Sequence, residues 1–345
     1  MTKTLRLSLL AIWMTAVLCG YAMAQTTGND LPAQLAKISS TNLPGYIGPL
    51  TSGLGASMNS GFYHSADLHN ILGFDIGVKV GVTMLKDENK TFNFVMPSQV
   101  RVNLPVVGTV TLNSGTDYDA VISSPTAVGN AKGVDVKLKP TSTRYNAGTA
   151  NSVIFKTPDG YNFTFPGSPV TGVPAGALQA SIGLPLGFEV IGRFIPTVNV
   201  GDAGKIGLTG FGLRHDIDQY IPFMPVDIAV HFMTQKLTLN DKNDNKVFSA
   251  SATAYGIEVS KSLVLFTLYG GYQMEKSSFE IEPYKYTDPV TSTSATLNGI
   301  TIDGEKKNRV HAGVRILLLF INLHADYAFS SSYPVATIGA GITFR

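Results

Sequence analysis

The stretch Leu72-Gly-Phe-Asp-Ile-Gly-Val-Lys-Val-Gly-Val-Thr-Met-Leu85 alternates almost without error. Phe74, Ile76, Val78, Val80, Val82 and Met84 fall on one face, with Asp75, Gly77, Lys79, Gly81 and Thr83 on the other. A period of two is the signature of a β-strand, and a run of this length far exceeds the roughly 5–6 residues of an ordinary soluble strand. It suits a tilted strand that crosses a bilayer, apolar side to lipid and polar side to a lumen. Asp75 and Lys79 are therefore expected inside.

The pattern recurs along the chain. From Ala177 to Val198 the outward set is Leu178, Ala180, Ile182, Leu184, Phe188, Val190 and Phe194, with Gln179, Ser181, Glu189 and Arg193 opposite and a tight turn at Pro185-Leu186-Gly187. Val226, Ile228, Val230 and Phe232 oppose Asp227 and His231. Val310, Ala312, Val314 and Ile316 oppose Arg309, His311 and Arg315, and Leu319, Ile321, Leu323, Ala325 and Tyr327 oppose Asn322, His324 and Asp326. The closing segment sets Ala336, Ile338, Ala340, Ile342 and Phe344 against Thr337, Gly339, Gly341 and Thr343. The inward residues Asp75, Lys79, Glu189, Arg193, Arg309, His311, Arg315, His324 and Asp326 carry both signs, with Glu189/Arg193 and Asp75/Lys79 as balanced pairs, and read as a polar network that fills a lumen.

A soluble β-sandwich alternates too, and one segment alone does not separate the two. The repetition does, together with turn lengths that switch between short (Pro185-Leu186-Gly187) and long (Asp241 to Lys246, Tyr284 to Thr296) and a terminal strand whose penultimate residue is aromatic. The expected fold is all-β, a transmembrane antiparallel β-barrel of about 10–14 strands with a short N-terminal helical or irregular plug.

Composition agrees. Only 14% of the 345 residues are charged and 44% are hydrophobic, against roughly 25% charged in a typical soluble protein. Residues 1–24 read as a signal peptide: Lys3 and Arg6, an apolar run from Leu7 to Leu18, and Ala22-Met23-Ala24 before a mature start at Gln25. Cys19 and Trp13, the one cysteine and the one tryptophan, fall inside it. Without Lys3 and Arg6 the basic and acidic residues are equal in number, which removes the electrostatic motive for binding nucleic acid. The longest later apolar run, Ile316 to Ile321, is far short of the roughly 20 residues of a spanning helix.

Two regions break the alternation. Residues 25–70 are expected to hold a short helix over Asp30–Ser40 and then a Gly- and Pro-rich plug or periplasmic strap, with an export linker as the alternative. Tyr46, Leu50, Met58, Phe62 and Tyr63 are too apolar for a solvated linker. In the 71–345 barrel, the region 97–175 carries short β-prone pieces at Val106–Leu112, Val134–Leu138, Ser152–Lys156 and Tyr161–Phe165. These read as one or two barrel strands plus a large extracellular loop.

The segments Leu43-Pro-Gly-Tyr46 to Gly61-Phe-Tyr-His64, Ala180-Ser-Ile-Gly-Leu-Pro-Leu-Gly-Phe-Glu189, Arg193-Phe-Ile-Pro196 and Gly212-Leu-Arg-His-Asp-Ile-Asp-Gln-Tyr-Ile-Pro222 resemble an uncharacterised family of outer-membrane barrels from Bacteroidetes. Through Ser52-Gly-Leu-Gly55 that family is in turn similar to the long-chain fatty acid outer-membrane transporters, which place a plug before the first strand. The resemblance implies passive uptake of hydrophobic small molecules, with Tyr46, Met58, Phe62 and Tyr63 of the plug as ligand contacts. Sealing the lumen is the competing role for the same four. A general porin and a structural or partner-binding surface protein are the rival functions. Outer-membrane lipid, lipopolysaccharide and the barrel-assembly machinery are the expected partners, besides a hydrophobic ligand.

Catalytic motifs are missing from the sequence: there is no Gly-x-Ser-x-Gly elbow, no His-Glu-x-x-His and no phosphate-binding loop. Asp241-Lys-Asn-Asp-Asn-Lys246 starts like a calcium loop but lacks its sixth-position glycine and has Ala252 where the twelfth-position Glu belongs. A hydrolase would use His311 or His324 with Ser330, but nothing in the spacing brings that serine to either ring, and a structural role is the competing one for both histidines. His64, His69 and His215 read as structural. No enzyme activity, cofactor or metal is expected.

Overall fold

The computed structural model describes residues 41–104, 108–140, 152–165, 170–199, 204–241, 244–287, 294–297, 299–304 and 306–345. The proposed signal peptide and the helix expected at Asp30–Ser40 lie outside them. The described chain opens with helix α1 (Leu43–Met58), continues through an irregular segment, and enters the first wall strand, β1 (Phe74–Met84). Six short strands follow: β2 (Thr91–Val95), β3 (Gln99–Leu104), β4 (Gly108–Asn113), β5 (Val121–Pro125), β6 (Asp135–Lys137) and β7 (Val153–Lys156). The wall resumes with β8 (Gly172–Leu184), β9 (Phe188–Asn199), β10 (Lys205–Asp216), β11 (Asp227–Asn240), β12 (Lys246–Leu263) and β13 (Phe266–Ile281). After β14 (Tyr284–Thr287), β15 (Ser294–Leu297) and β16 (Ile300–Asp303), it ends with β17 (Lys307–Leu318), β18 (Ile321–Phe329) and β19 (Val335–Phe344).

Ten of these strands form a closed antiparallel barrel, running β1, β8 to β13, and β17 to β19, each beside its successor. Closure comes from β19 pairing with β1 over Phe74↔Phe344 to Thr83↔Val335. Closing the ring leaves no unpaired edge among the wall strands, which an open sheet of this apolar sequence would expose to aggregation. Among the described residues, β16 pairs with the far end of β13, which outlasts its neighbour β17.

The faces follow the period-two reading. Asp75, Lys79, Gln179, Glu189, Arg193, His231, Arg309, His311, Arg315, Asn322, His324 and Asp326 are buried toward the bore. Ile76, Ile182, Phe194, Phe232, Val310 and Ile342 are exposed on the outside. Leu319 is a correction of detail: it sits in the turn between β17 and β18 with φ 58° and not in the strand.

The two ends of the barrel differ. One end carries the tight connections at 185–187, 264–265 and 319–320, together with the start of β1 and the end of β19. The other carries the long insertion between β1 and β8 and the β14–β15 hairpin. None of the short strands in the first insertion joins the wall, contrary to the expectation of one or two barrel strands there. β2 pairs with β5, β3 with β4 and β6 with β7, and Tyr161–Phe165 contributes only an isolated bridge, Thr164↔Thr171. Their three to six residues cannot span a bilayer at about 9–11 per strand. They build a cap with its own core of Phe94, Met96, Leu104, Leu112, Tyr118, Val136 and Leu138.

α1 was not legible as a helix, since Gly45, Gly48, Pro49, Gly53 and Gly55 all disfavour one. Packing overrides propensity. Pro44 occupies the first turn, where its missing N–H costs nothing. The glycines let α1 approach its surroundings: a Cβ at Gly45 would strike Phe92 of the cap, and one at Gly55 would strike Ser277 of β13. The helix lies under the cap, and the chain after it passes down the bore to the short-turn end, where β1 begins.

Candidate functional site

The bore is occupied by residues 43–70 and can be described in three tiers. In the upper tier the cap clamps the start of α1. The Asn42 amide donates to Val95 O and its side-chain oxygen accepts from Val95 N–H, both at 2.8 Å. The Tyr46 hydroxyl donates to Asp159 O at 2.7 Å, and Ala127 N–H donates to Tyr46 O at 2.8 Å. Burial acts to raise the Asp159 carboxyl, but the Gly133 N–H and the Lys132 ammonium outweigh it and hold the group below its ordinary value. Deeper, Ser57 Oγ donates to Val173 O at 2.6 Å, and Thr83 Oγ1 donates to Gly53 O at 2.7 Å.

In the middle tier the wall holds the backbone of the plug. Arg193 donates to Met58 O (3.1 Å) and Ser60 O (2.8 Å), and its guanidinium carbon lies 4.4 Å from the centre of the Phe62 ring. Gln235 donates to Met58 O, Gln273 to Asn59 O and Gln179 to Phe62 O, at 2.5, 2.6 and 2.8 Å. The plug leaves its helix at Met58, so these carbonyls have lost their helical partners, and the inward glutamines and arginine replace them. Tyr63 Oη lies 2.7 Å from His311 Nε2, and its ring packs against His231 and Tyr269. Gly271 is needed here, because a Cβ would meet the Tyr63 hydroxyl.

The lower tier is ionic. Arg214 donates to Glu189 (2.7 Å), Glu258 (2.5 Å) and the carbonyl of Ser65. His69 bridges Glu189 (2.6 Å) and the Thr343 hydroxyl (2.9 Å), and Ser260 Oγ accepts from Ala66 N–H at 2.9 Å. Asp75 accepts from Asn322 and sits 3.4 Å from His64 and 3.8 Å from Lys79, whose ammonium is 3.3 Å from His324 Nε2. Tyr269 donates to Asp326 at 3.1 Å, Arg309 pairs with Glu275 at 3.3 Å, and Arg315 is buried on the same inward face. Among the described residues, buried Lys79, Arg193, Arg214, Arg309 and Arg315 stand against Asp75, Glu189, Glu258, Glu275 and Asp326, equal in number. A neutral set is the condition for burying so many charges, because one uncompensated ion would cost several kcal/mol (about 3–5 when a partner is removed).

The four plug residues proposed as ligand contacts, Tyr46, Met58, Phe62 and Tyr63, are all buried, at 0, 1, 3 and 3% exposure. Met58 and Tyr46 share one apolar cluster, and Phe62 and Tyr63 another with Ile191, Met233 and Tyr269. The inward network is brought together with one change of partner. Glu189 and Arg193 do not pair; Glu189 takes Arg214 and His69, while Arg193 is drawn to plug carbonyls. Residues i and i+4 on a strand are roughly 13 Å apart, a gap that the long Lys79 side chain closes toward Asp75 but that Arg193 has no reason to close. Arg214, Glu258, Gln235, Gln273 and Glu275 also face the bore, although the alternation did not single them out. Strand parity could have found Glu258 and Glu275, but Ser, Thr, Ala and Gly occupy both faces of β12 and β13 and blur it.

Ser330 lies outside the bore network, accepting from Tyr333 N–H at 3.3 Å. Asp241 closes its hairpin by accepting from the Asn245 backbone and side-chain amides, both at 2.9 Å. Among the described residues there is no group of three His, Cys, Asp or Glu side chains placed to hold a metal. Between plug and wall lies a cavity of about 10 Å³, lined in part by Met58, Lys79, Gly81, Arg193 and Gln235, roughly the space of one water.

No curated protein matches the sequence. Solved structures to which the chain is similar include three outer-membrane β-barrels. Ail, the attachment invasion locus protein of Yersinia pestis, is 12% identical, covering 80% of this chain and 100% of its own, with TM-score 0.22. The translocator domain of the autotransporter NalP from Neisseria meningitidis is 8% identical, covering 81% and 90%, with TM-score 0.31. The monoaromatic hydrocarbon channel CymD is 10% identical, covering 87% and 98%, with TM-score 0.29. Likeness this distant leaves the barrel to be read from its own strands and says nothing of a ligand. The sequence itself matches one family over residues 1–344, so the chain belongs to the family of unknown function DUF6588.

Proposed function

We propose that the chain is an outer-membrane barrel, sealed at rest, that displays its cap at the cell surface for a partner to bind. One observation carries this reading: Arg193, Gln179, Gln235 and Gln273, from four wall strands, hold the carbonyls of Met58, Asn59, Ser60 and Phe62. Each such bond contributes about 1 kcal/mol net, and breaking it inside a closed bore strands a buried donor. A plug held this way is a seal. The apolar outer face suits lipid, and by the usual asymmetry the short turns face the periplasm and the cap faces outward. Conductance of the refolded protein in a planar bilayer is expected to be absent. A steady ohmic current would overturn the sealed barrel in favour of a general porin. Orientation has its own test: in a Cys19→Ala background, Thr41→Cys beside the cap should react with a membrane-impermeant maleimide on intact cells.

Passive uptake of hydrophobic small molecules, the function implied by the likeness to fatty-acid transporters, is the second reading. Its support is the apolar column Tyr46, Met58, Phe62 and Tyr63 that follows the plug down the bore. It requires the plug to move. Ser57 Oγ and Thr83 Oγ1 are 2.7 Å apart, so Ser57→Cys with Thr83→Cys should lock plug to wall by a disulfide. Loss of fluorescent fatty-acid uptake on locking, restored by reductant, would favour transport; uptake indifferent to the lock would favour display.

A further inference from the structure

The residues of positive φ sort by end of the barrel. On the cap side the non-glycine examples are Asn130 (φ 45°) and Asp244 (φ 66°), residue types that tolerate the left-handed region. On the short-turn side they are Leu72 (66°), Leu186 (64°), Phe223 (63°), Val264 (42°) and Leu319 (58°). Bulky and β-branched residues are disfavoured there, so a turn selected only for its geometry would use Gly, Asn or Asp. These five are also exposed, from 72% for Leu72 to 102% for Phe223 and 105% for Val264. A ring of strained, largely exposed apolar side chains on one rim needs something to cover it.

The outward apolar band measures where that cover lies. On β12 it runs upward from the turn through Val259, Ile257 and Tyr255, then gives way to Thr253 and Ser251. On β13 it runs through Phe266, Leu268, Tyr272 and Met274, then meets Lys276 and Ser278. On β17 it ends at Val310, beside the outward Asn308. From Tyr255 to Val264, and from Val310 to Leu319, is about nine residues, which on strands tilted near 40° span ~23 Å along the barrel axis. The lipid-facing band of a membrane barrel is ~25 Å tall. On these strands the band reaches its full height only if the turns themselves are its lower edge. Lys261, outward near that edge, donates to the Pro225 carbonyl in the adjacent turn, which shields its charge.

We infer that the short-turn rim is immersed in the bilayer, with Leu72, Leu186, Phe223, Val264 and Leu319 seated at the boundary between acyl chains and headgroups, and that β11 to β13 stand clear of the membrane above Phe232, Tyr255 and Met274. The strained turns then act as anchors that fix the depth of the barrel. The inference rests on the outer-membrane reading, and the test separates the two.

The sequence has one tryptophan, Trp13. In a Trp13→Phe background, single tryptophans are introduced as Val264→Trp, Leu319→Trp, Ile257→Trp and Ser251→Trp, and each variant is refolded into phosphatidylcholine vesicles whose acyl chains are brominated near the headgroup or near the chain end. Ile257→Trp, in mid-band, should be quenched most by the deep bromines and Ser251→Trp by neither. The rim tryptophans should lose at least half their emission to the shallow bromines. Quenching at Ile257→Trp with none at Val264→Trp and Leu319→Trp would overturn the immersed rim while leaving the membrane barrel standing. No quenching at any position would overturn both.

Discussion

The plug and the cap are both irregular insertions in one barrel, yet they are held by opposite means. The plug below Met58 is fixed by charge and hydrogen bonds: Arg193 and three glutamines on its carbonyls, and Arg214 between Glu189 and Glu258. The cap is fixed by an apolar cluster of Phe94, Met96, Leu104, Leu112, Tyr118, Val136 and Leu138. The difference follows from their surroundings. A strand that gives its apolar face to lipid leaves a mostly polar face for the bore, so the plug meets chiefly Arg, Glu and Gln, with Ile191, Met233 and Tyr269 the apolar exception beneath Phe62 and Tyr63. The cap strands stand apart from the wall and bury their hydrophobic residues against one another.

The sharpest break in that comparison is Arg214→Ala. It leaves Glu189 and Glu258 buried without their cation and should cost about 3–5 kcal/mol. The midpoint of thermal unfolding in detergent, read from the heat-dependent mobility shift of the barrel on gels, checks it. Adding Glu189→Gln and Glu258→Gln to Arg214→Ala should recover much of the loss, because the buried charges then vanish together.

Leu112→Ala should cost about 2–5 kcal/mol, the usual range for a fully buried leucine, but charged to the cap alone. Limited proteolysis should then cut within 91–156 while the barrel transition stays where it was. A fall in the barrel midpoint of the same size would show that cap and wall fold as one unit. Arg193→Lys tests the seal more gently. Arg193 also donates through Nε to Gln179 Oε1 at 2.8 Å, and a lysine, with all its donors on one nitrogen, cannot span the three acceptors, so a loss of about 1–2 kcal/mol is expected, seen as flickering conductance in a bilayer where the parent is silent.

The smallest effect concerns pH. The Gly133 N–H and the Lys132 ammonium hold Asp159 below its ordinary value despite its burial. A depressed carboxyl favours the folded cap at pH above the ordinary value of 3.8, and that contribution disappears as the pH falls through the lowered one. Protease susceptibility of the cap should therefore rise in acid below pH 3.8, and Asp159→Asn should flatten this response.

The strand faces were legible because period two is a local property. Asp75, Lys79, Glu189, Arg193, Arg309, His311, Arg315, His324 and Asp326 are inward as their parity requires. α1 was illegible because its glycines and prolines argue against a helix in isolation, and only close contact with Phe92, Val173 and Ser277 makes small residues the right ones. The cap strands were legible as β-prone pieces but not as a separate body, since their length excludes them from the wall only once the other ten strands have closed it. Pairing was hidden for a similar reason. Glu189 and Arg193 are close in sequence, but the partner of Glu189 is Arg214, which β10 sets alongside at Arg214↔Glu189.

By itself the sequence determined that the chain is a β-barrel and, where the alternation is clean, which residues face outward and which face the bore, because alternation along a strand needs no knowledge of what lies beside it. Only the tertiary structure decided that the strands number ten, that residues 43–70 fill the bore from the cap end, and which charges meet. Those depend on register between strands and on the fit of a helix against a wall, contacts that distant segments make only after the ring has closed.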